Sequence, residues 1–171
     1  MGYTTKFKGF VTIDPPLNVQ EIKFLNDFSN TRRMERNNGP YFVEGTGFMG
    51  QGDDADVVNS NCPPEGQPGL WCQWIPSKNG TRLKWDGSEK FYDAKEWMTY
   101  IVDHFLRPDA HALGKVEGLS CNHSVSGVIH ASGEDRTDRW TLVVKDNQVS
   151  QLDGHQIVDL EAKEEASPFS P

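Results

Sequence analysis

The sequence predicts one α+β domain, in which a mostly antiparallel β-sheet carries two amphipathic helices on one face. Two segments repeat apolar residues with the period of a helix, about 3.6 residues. Several other segments alternate apolar and polar residues or are rich in β-branched and aromatic residues, which is typical of strands. Short turns join most of these strand segments and indicate hairpins, hence antiparallel pairing.

The N-terminal third predicts a strand followed by a helix. Apolar and polar residues alternate over residues 4–13, which predicts a half-buried strand ended by the two prolines that follow it. Asn18 is a favourable helix N-cap, and Glu21 three residues later completes the capping-box pattern. The helix is predicted to end near Arg33, since the Asn-Gly-Pro sequence beyond it cannot continue a helix.

The middle of the chain predicts a short strand, a long loop and a hairpin. Residues 41–44 have strand composition. Residues 45–69 are rich in Gly, Asp and Pro and contain no predicted element, which is long for a loop in a compact domain. Residues 70–75 and 81–85 are predicted to pair, because the turn between them contains an Asn-Gly sequence that tolerates positive φ angles.

The second helix is the clearest element. Asp93 is its predicted N-cap, Glu96 occupies the capping-box position, and Pro108 ends the segment. Its apolar stripe consists of Trp97, Met98, Ile101, Val102 and Phe105. We therefore expect this stripe to pack on the sheet.

The C-terminal third is predicted to form strands at residues 125–131, 140–144 and 149–152, with residues 157–160 as one further candidate. The resulting order is β-α-β-β-β-α-β-β-β. A ferredoxin-like split β-α-β arrangement is one way to close such a sheet.

Composition limits the class of partner. Residues 1–160 are predicted to form one domain, and residues 161–171 an acidic, flexible tail.

The formal net charge of −8 disfavours a nucleic acid as partner, because binding a nucleic acid requires a basic face on the protein. No segment has the pattern of a secretory signal or the length of a membrane span. Three cysteines, an odd number, are expected to be free thiols in the reducing cytoplasm.

Four runs of sequence together resemble a family of small uncharacterised proteins carried by actinobacteria and their phages. The runs are MGYT at 1–4, GQPGLWCQW at 66–74, WDGSEKFY at 85–92, and GED leading into DRW within 133–140. That family has no assigned activity, so the resemblance implies a host type and an intracellular accessory role, and no catalytic residues.

The long loop is one candidate site. Its carboxylates Asp53, Asp54 and Asp56 are hard oxygen ligands of the type that calcium or magnesium prefers, although their spacing matches no EF-hand loop. Phe48 is an apolar residue that a free loop would not need, so we expect the loop to lie against the body of the domain. The alternative interpretation is that these acidic residues are only solvated.

Aromatic residues around the predicted hairpin are the second candidate. The residues predicted to contact a ligand or partner are Trp71, Trp74, Trp85, Glu89 and, from the long loop, Phe48. The alternative is that these rings form the core between hairpin and second helix.

The sequence thus predicts a non-enzymatic binding or accessory module that acts on a protein or small molecule. The alternative is a small metal-assisted hydrolase that uses the Asp-rich loop 53–61. No cofactor is predicted for the binding module. A divalent cation is expected only under the hydrolase alternative, and the oligomeric state is left open.

Overall fold

The computed structural model describes residues 3–43, 55–158 and 160. Within them the chain forms eight strands, two α-helices and a π-helical turn that continues the second helix. In chain order the elements are β1 (Lys6–Asp14), α1 (Val19–Asn30), β2 (Glu35–Arg36), β3 (Val57–Asn59), β4 (Trp74–Pro76), β5 (Arg82–Trp85), α2 (Ala94–Ile101), the π-helical turn (Val102–Leu106), β6 (Ser124–Ser132), β7 (Arg139–Lys145) and β8 (Gln148–Asp153). The predicted tail, residues 161–171, lies outside the described residues.

Six strands form one sheet in the order β4-β5-β1-β6-β7-β8, and every neighbouring pair is antiparallel. Strands β1 and β4 therefore run in the same direction with β5 between them, and α1 lies on their connection. Strands β5 and β6 are related in the same way around β1, with α2 on their connection. These two interleaved split β-α-β units form a ferredoxin-like arrangement, which the sequence offered as one way to close the sheet, and the hairpin of β7 and β8 extends it.

The core lies between the sheet and the two helices. On β1, Phe7, Val11 and Ile13 are buried, as their alternation predicted. The helices meet through Phe28 and Trp97, whose rings contact edge-on with centroids 5.9 Å apart. The apolar stripe of α2 and its π-helical turn is buried throughout, so its predicted packing is confirmed.

The opposite face of the sheet is only partly covered. The segment after β8 crosses β7, where the Thr141 hydroxyl donates to the Gly154 carbonyl at 2.7 Å and accepts from Gln156 N at 2.9 Å. Over β1 the same face is open, and Lys8 and Phe10 are exposed on it. One face of the sheet therefore builds the core, and part of the other remains a surface.

Three predicted elements differ from the structure. Residues 41–43 form no strand, and a short strand lies at Glu35–Arg36 instead. It pairs with Val57–Asn59, inside the stretch predicted to be loop. These two short segments carry no periodic pattern. Each forms a strand only because its backbone pairs with that of the other. Residues 155–158 also form no strand.

The two helices begin differently. At α1, Asn18 Oδ1 accepts from Glu21 N at 2.8 Å and Glu21 Oε1 accepts from Asn18 N at 2.9 Å, which confirms the capping box. At α2, Asp93 stands at the N-cap in the left-handed region, with φ 60°, and its side chain makes no capping bond. The capping box predicted for Glu96 is therefore wrong, and the Asp93 carboxylate is not used by the helix.

Candidate functional site

A groove lies where the segment before β4 meets the start of α2, and it is called the aromatic groove below. It encloses about 440 Å³. Its lining residues are Gly69, Leu70, Trp71, Gln73, Glu89, Lys90, Tyr92, Asp93 and Trp97. The groove brings together two of the predicted binding residues, Trp71 and Glu89, although they are distant in the sequence.

The indole of Trp97 supplies an unused hydrogen-bond donor to this groove. Trp97 is 0% exposed, and its Nε1–H has no acceptor among the described residues. A Cβ placed on Gly69 would lie 3.8 Å from both Trp97 Nε1 and Asp93 Oδ2. Glycine at this position thus leaves space beside a buried donor. Buried polar groups are nearly always hydrogen-bonded, so this unpaired N–H beside the groove is an exception.

The rim of the groove has an unusual backbone. Lys90 and Asp93 both adopt positive φ angles, 61° and 60°, in a region that non-glycine residues seldom occupy. Such conformations are concentrated at functional sites, where the surrounding structure holds them. Burial raises the pKa of the Asp93 carboxyl, and the nearby charge of Glu96 raises it further.

Gln73 fixes the opposite rim. Its Nε2 donates to the Glu89 carbonyl at 3.1 Å, and its Oε1 accepts from Trp85 Nε1 at 3.1 Å. These bonds tie the segment that carries Glu89 to the hairpin. The position of Glu89 therefore depends on the side chains of Gln73 and Trp85. The sequence pattern of the hairpin does not predict this relationship.

The remaining predicted tryptophans belong elsewhere. Trp74 is 0% exposed, its ring contacts Phe7 and Phe91 edge-on, and its Nε1 donates to the Ala94 carbonyl at 2.9 Å. It is a core residue, which corrects its assignment to a binding surface. Trp85 is half-buried, lies opposite Trp74, packs against the edge of the core and lines a different cleft beside β1.

The Asp-rich loop provides no metal site among the residues that the structure describes. Phe48, Asp53 and Asp54 lie outside those residues. The Asp56 carboxylate accepts from Arg36 Nη1 and from Asn38 Nδ2, each at 2.8 Å. Within the described ranges, no group of three or more His, Cys, Asp or Glu side chains could hold a metal ion. The metal-assisted hydrolase hypothesis therefore gains no observation in its favour.

A buried polar cluster was not predicted from the sequence. Glu21 Oε2 accepts from Ser120 Oγ at 2.9 Å and lies 3.0 Å from His123 Nε2. His123 Nδ1 lies 2.6 Å from the Pro15 carbonyl, which can only accept, so this nitrogen carries a proton. Serine and carboxylate both meet the same ring nitrogen, which is not the order of a nucleophile–base–acid relay. The cluster instead ties the loop before α1 to the loop before β6.

A second unpredicted cluster lies on the π-helical turn. His104 stacks on Tyr100 with ring centroids 3.8 Å apart, and the Tyr41 hydroxyl lies 2.7 Å from His104 Nδ1. Burial lowers the pKa of His104 to about 4, and the charges of His111, Lys115 and Arg107 add to this effect. At neutral pH the ring is therefore uncharged, and its Nδ1 shares a hydrogen bond with the Tyr41 hydroxyl.

Comparison of the chain with known protein families, with curated proteins and with solved structures found no match. Among the described residues, no helix has the length and apolar composition needed to cross a membrane.

Proposed function

We propose that this protein is a non-enzymatic, cytoplasmic binding module that holds a basic segment of a partner protein in the aromatic groove. The observation that carries the proposal is the buried Trp97 N–H, which lines the groove without an acceptor among the described residues. An extended peptide presents backbone carbonyls, the most abundant acceptors in any protein segment.

Aromatic surface supports a protein partner. Trp71 is half-buried and Tyr92 is 59% exposed, so both present ring surface along the groove. Large aromatic side chains are enriched at the centres of protein interfaces, where they bury area at a low cost in side-chain entropy.

Charge supports a basic partner segment. Glu89 and Asp93 place two carboxylates in the groove against the single amine of Lys90. The whole chain carries a formal charge of −8, which steers basic partners toward it over longer distances. A lysine or arginine side chain can contact an aromatic face and a carboxylate at the same time.

The cytoplasmic location is supported by the cysteines. Cys62, Cys72 and Cys121 are all free thiols. Burial raises the pKa of the Cys72 thiol to about 12, so this group is no nucleophile at neutral pH. The resemblance of four sequence runs to proteins of actinobacteria and their phages supports an accessory role in such a host.

The test is selection from a random displayed peptide library on the full chain. We expect the selected peptides to be enriched in Lys and Arg. Tyr92→Ala and Glu89→Gln should weaken their binding by about tenfold or more, the effect of losing an interface hot spot. The matched control is Leu152→Ala, which removes another exposed apolar side chain, from β8.

Two results would contradict the proposal. One is selection of peptides without basic residues. The other is selected peptides that bind Tyr92→Ala and Glu89→Gln as tightly as the unchanged chain.

A further inference from the structure

A cleft of about 770 Å³ opens on the uncovered face of the sheet, and it is called the sheet cleft below. Its lining residues are Lys6, Phe7, Lys8, Gly9, Trp85, Val128, His130, Ser132 and His155. None of these lines the aromatic groove, so the two sites are separate. The volume is within the range of pockets that bind small organic molecules.

The cleft exists because β1 and β5 separate. Strand β6 pairs with all nine residues of β1, whereas β5 pairs with β1 only at Val11 and Thr12. At the point of separation stands Gly9, with φ +110°, and a Cβ there would lie 2.7 Å from the Val128 carbonyl oxygen. Only glycine fits this backbone, so the opening is part of the fold.

Two lysines give the mouth of the cleft a positive charge. Lys6 and Lys8 are both exposed and project from the same face of β1, about 7 Å apart along the strand. No ion pair among the described residues includes either of them. Glu134, at the turn near the start of β1, instead accepts from Thr4 N at 2.6 Å.

Two histidines add polar groups on the far wall. His155 Nε2 donates to the Ala131 carbonyl at 3.0 Å. The Thr141 hydroxyl donates its proton to the Gly154 carbonyl, so it can only accept from His130. His130 Nδ1 therefore donates to Thr141 Oγ1 at 3.3 Å. Hydrogen bonds thus fix one nitrogen of each ring, and the second nitrogen of each makes no bond among the described residues.

The floor of the cleft is aromatic. Trp85 is half-buried, and its ring meets Phe7 edge-on with centroids 5.5 Å apart. Gly9 lines the same cleft and contributes no side chain to it. A planar ring that enters the cleft would therefore contact indole surface.

We propose that the sheet cleft binds a small organic anion that carries a planar ring, of about the size of a mononucleotide. Lys6 and Lys8 hold the anionic group, and the ring lies against Trp85. Phosphate esters and carboxylates share this chemistry. A single small anion needs only local positive charge, so the acidic balance of the whole chain does not oppose it.

The experiment titrates the full chain with two ring-bearing anions, adenosine monophosphate and indole-3-acetate, and follows binding by NMR. The controls are inorganic phosphate and adenosine, which offer the charge or the ring alone. We expect at least one ring-bearing anion to bind more tightly than either control and to shift the Trp85 indole signal. The probe that binds distinguishes a phosphate ester from a carboxylate.

Lysine variants distinguish binding in the sheet cleft from non-specific attraction of anions to positive charge. Lys8→Gln should weaken binding by about fivefold to tenfold, and Lys8→Arg should retain it. Lys78→Gln removes the same charge from the exposed hairpin turn and should leave binding unchanged. The proposal is overturned if neither ring-bearing anion binds at roughly 10 mM. It is also overturned if phosphate alone binds as well, or if Lys8→Gln and Lys78→Gln have equal effects.

Discussion

Glu21 Oε2 lies 3.0 Å from His123 Nε2, and both side chains are only 1% exposed. Burial opposes the charge on Glu21, but hydrogen bonds from His123, Asn18 N and Ser120 outweigh it and lower its pKa to about 2. Burial also opposes the charge on His123, but its bonds to Glu21 and to the Pro15 carbonyl raise its pKa. The pair is therefore a buried ion pair that joins the first turn of α1 to the loop before β6.

The first prediction is that Glu21→Ala destabilises the protein by about 3–5 kcal/mol, because it leaves a buried imidazolium without its partner. The measurement is the free energy of unfolding in urea. The control is Glu65→Ala, which removes an exposed carboxylate and should cost less than about 0.5 kcal/mol. Equal unfolding midpoints for the two variants would show that the pair contributes nothing.

The second prediction concerns the dependence of stability on pH. The pKa of Glu21 falls from 4.5 to about 2 on folding, so its contribution is present above pH 4.5 and is lost as the pH falls through 2. The pKa of His123 rises from 6.5, so its contribution is present below pH 6.5 and is lost as the pH rises through the higher folded value. The pair therefore stabilises most between these limits.

Urea unfolding at roughly pH 3, 5.5 and 8.5 tests this window. The reference is the double variant Glu21→Gln/His123→Gln. Its free energy of unfolding, subtracted from that of the unchanged chain, should leave a difference that is largest at the middle pH. A difference that is constant across the three pH values would contradict the assignment.

The third prediction is that two histidines titrate far apart. His104, with a pKa of about 4, should remain neutral near pH 5.5, where His123 is already protonated. NMR titration of the imidazole signals measures both, with His104→Asn and His123→Gln to assign them. Because the pKa of His104 is lowered on folding, its contribution to stability is lost as the pH falls from 6.5 through 4. Titration of both rings together near pH 6.5 would contradict the geometry.

The fourth prediction compares two buried tryptophans. Trp74 Nε1 donates to the Ala94 carbonyl, whereas Trp97 Nε1 has no acceptor among the described residues. Trp74→Phe should therefore cost about 1 kcal/mol more than Trp97→Phe, since both lose similar apolar area but only the first loses a hydrogen bond. Chemical denaturation measures the difference. A larger loss for Trp97→Phe would mean that its N–H is satisfied.

The fifth prediction concerns the turn of the β4–β5 hairpin. Gly80 has φ +75°, and a Cβ there would lie 2.7 Å from the Leu17 carbonyl oxygen, whereas Gly87 has φ +87° and open space around it. Both alanine substitutions carry the strain of a positive φ angle. Gly80→Ala should cost about 1–3 kcal/mol more, because the loop that precedes α1 must move. Equal melting temperatures would show that the loop accommodates the methyl group.

Local patterns predicted most of the fold. The capping box of α1 and the buried stripe of α2 depend on residues a few positions apart, which is the range over which sequence patterns act directly. The alternation in β1 likewise predicted which of its residues are buried. The order of elements was then sufficient to suggest the split β-α-β arrangement, because few topologies close such a sheet.

Contacts between distant residues decided the sites. The sequence alone brought forward Trp71, Trp74 and Trp85 as one group. The tertiary structure buries Trp74 in the core, places Trp71 in the aromatic groove and places Trp85 in the sheet cleft. Neighbouring residues in a strand point to opposite faces, and what covers each face depends on elements far along the chain.

By itself, the sequence determined the fold class, the helices and most of the strands, because periodicity and capping are local. Only the tertiary structure decided that Glu21 meets His123 across the domain and that Gly9 opens the sheet cleft. These features arise from the register between strands and from the path of loops. No single segment encodes the Glu21–His123 contact or the sheet cleft, since both form only when the whole chain has packed.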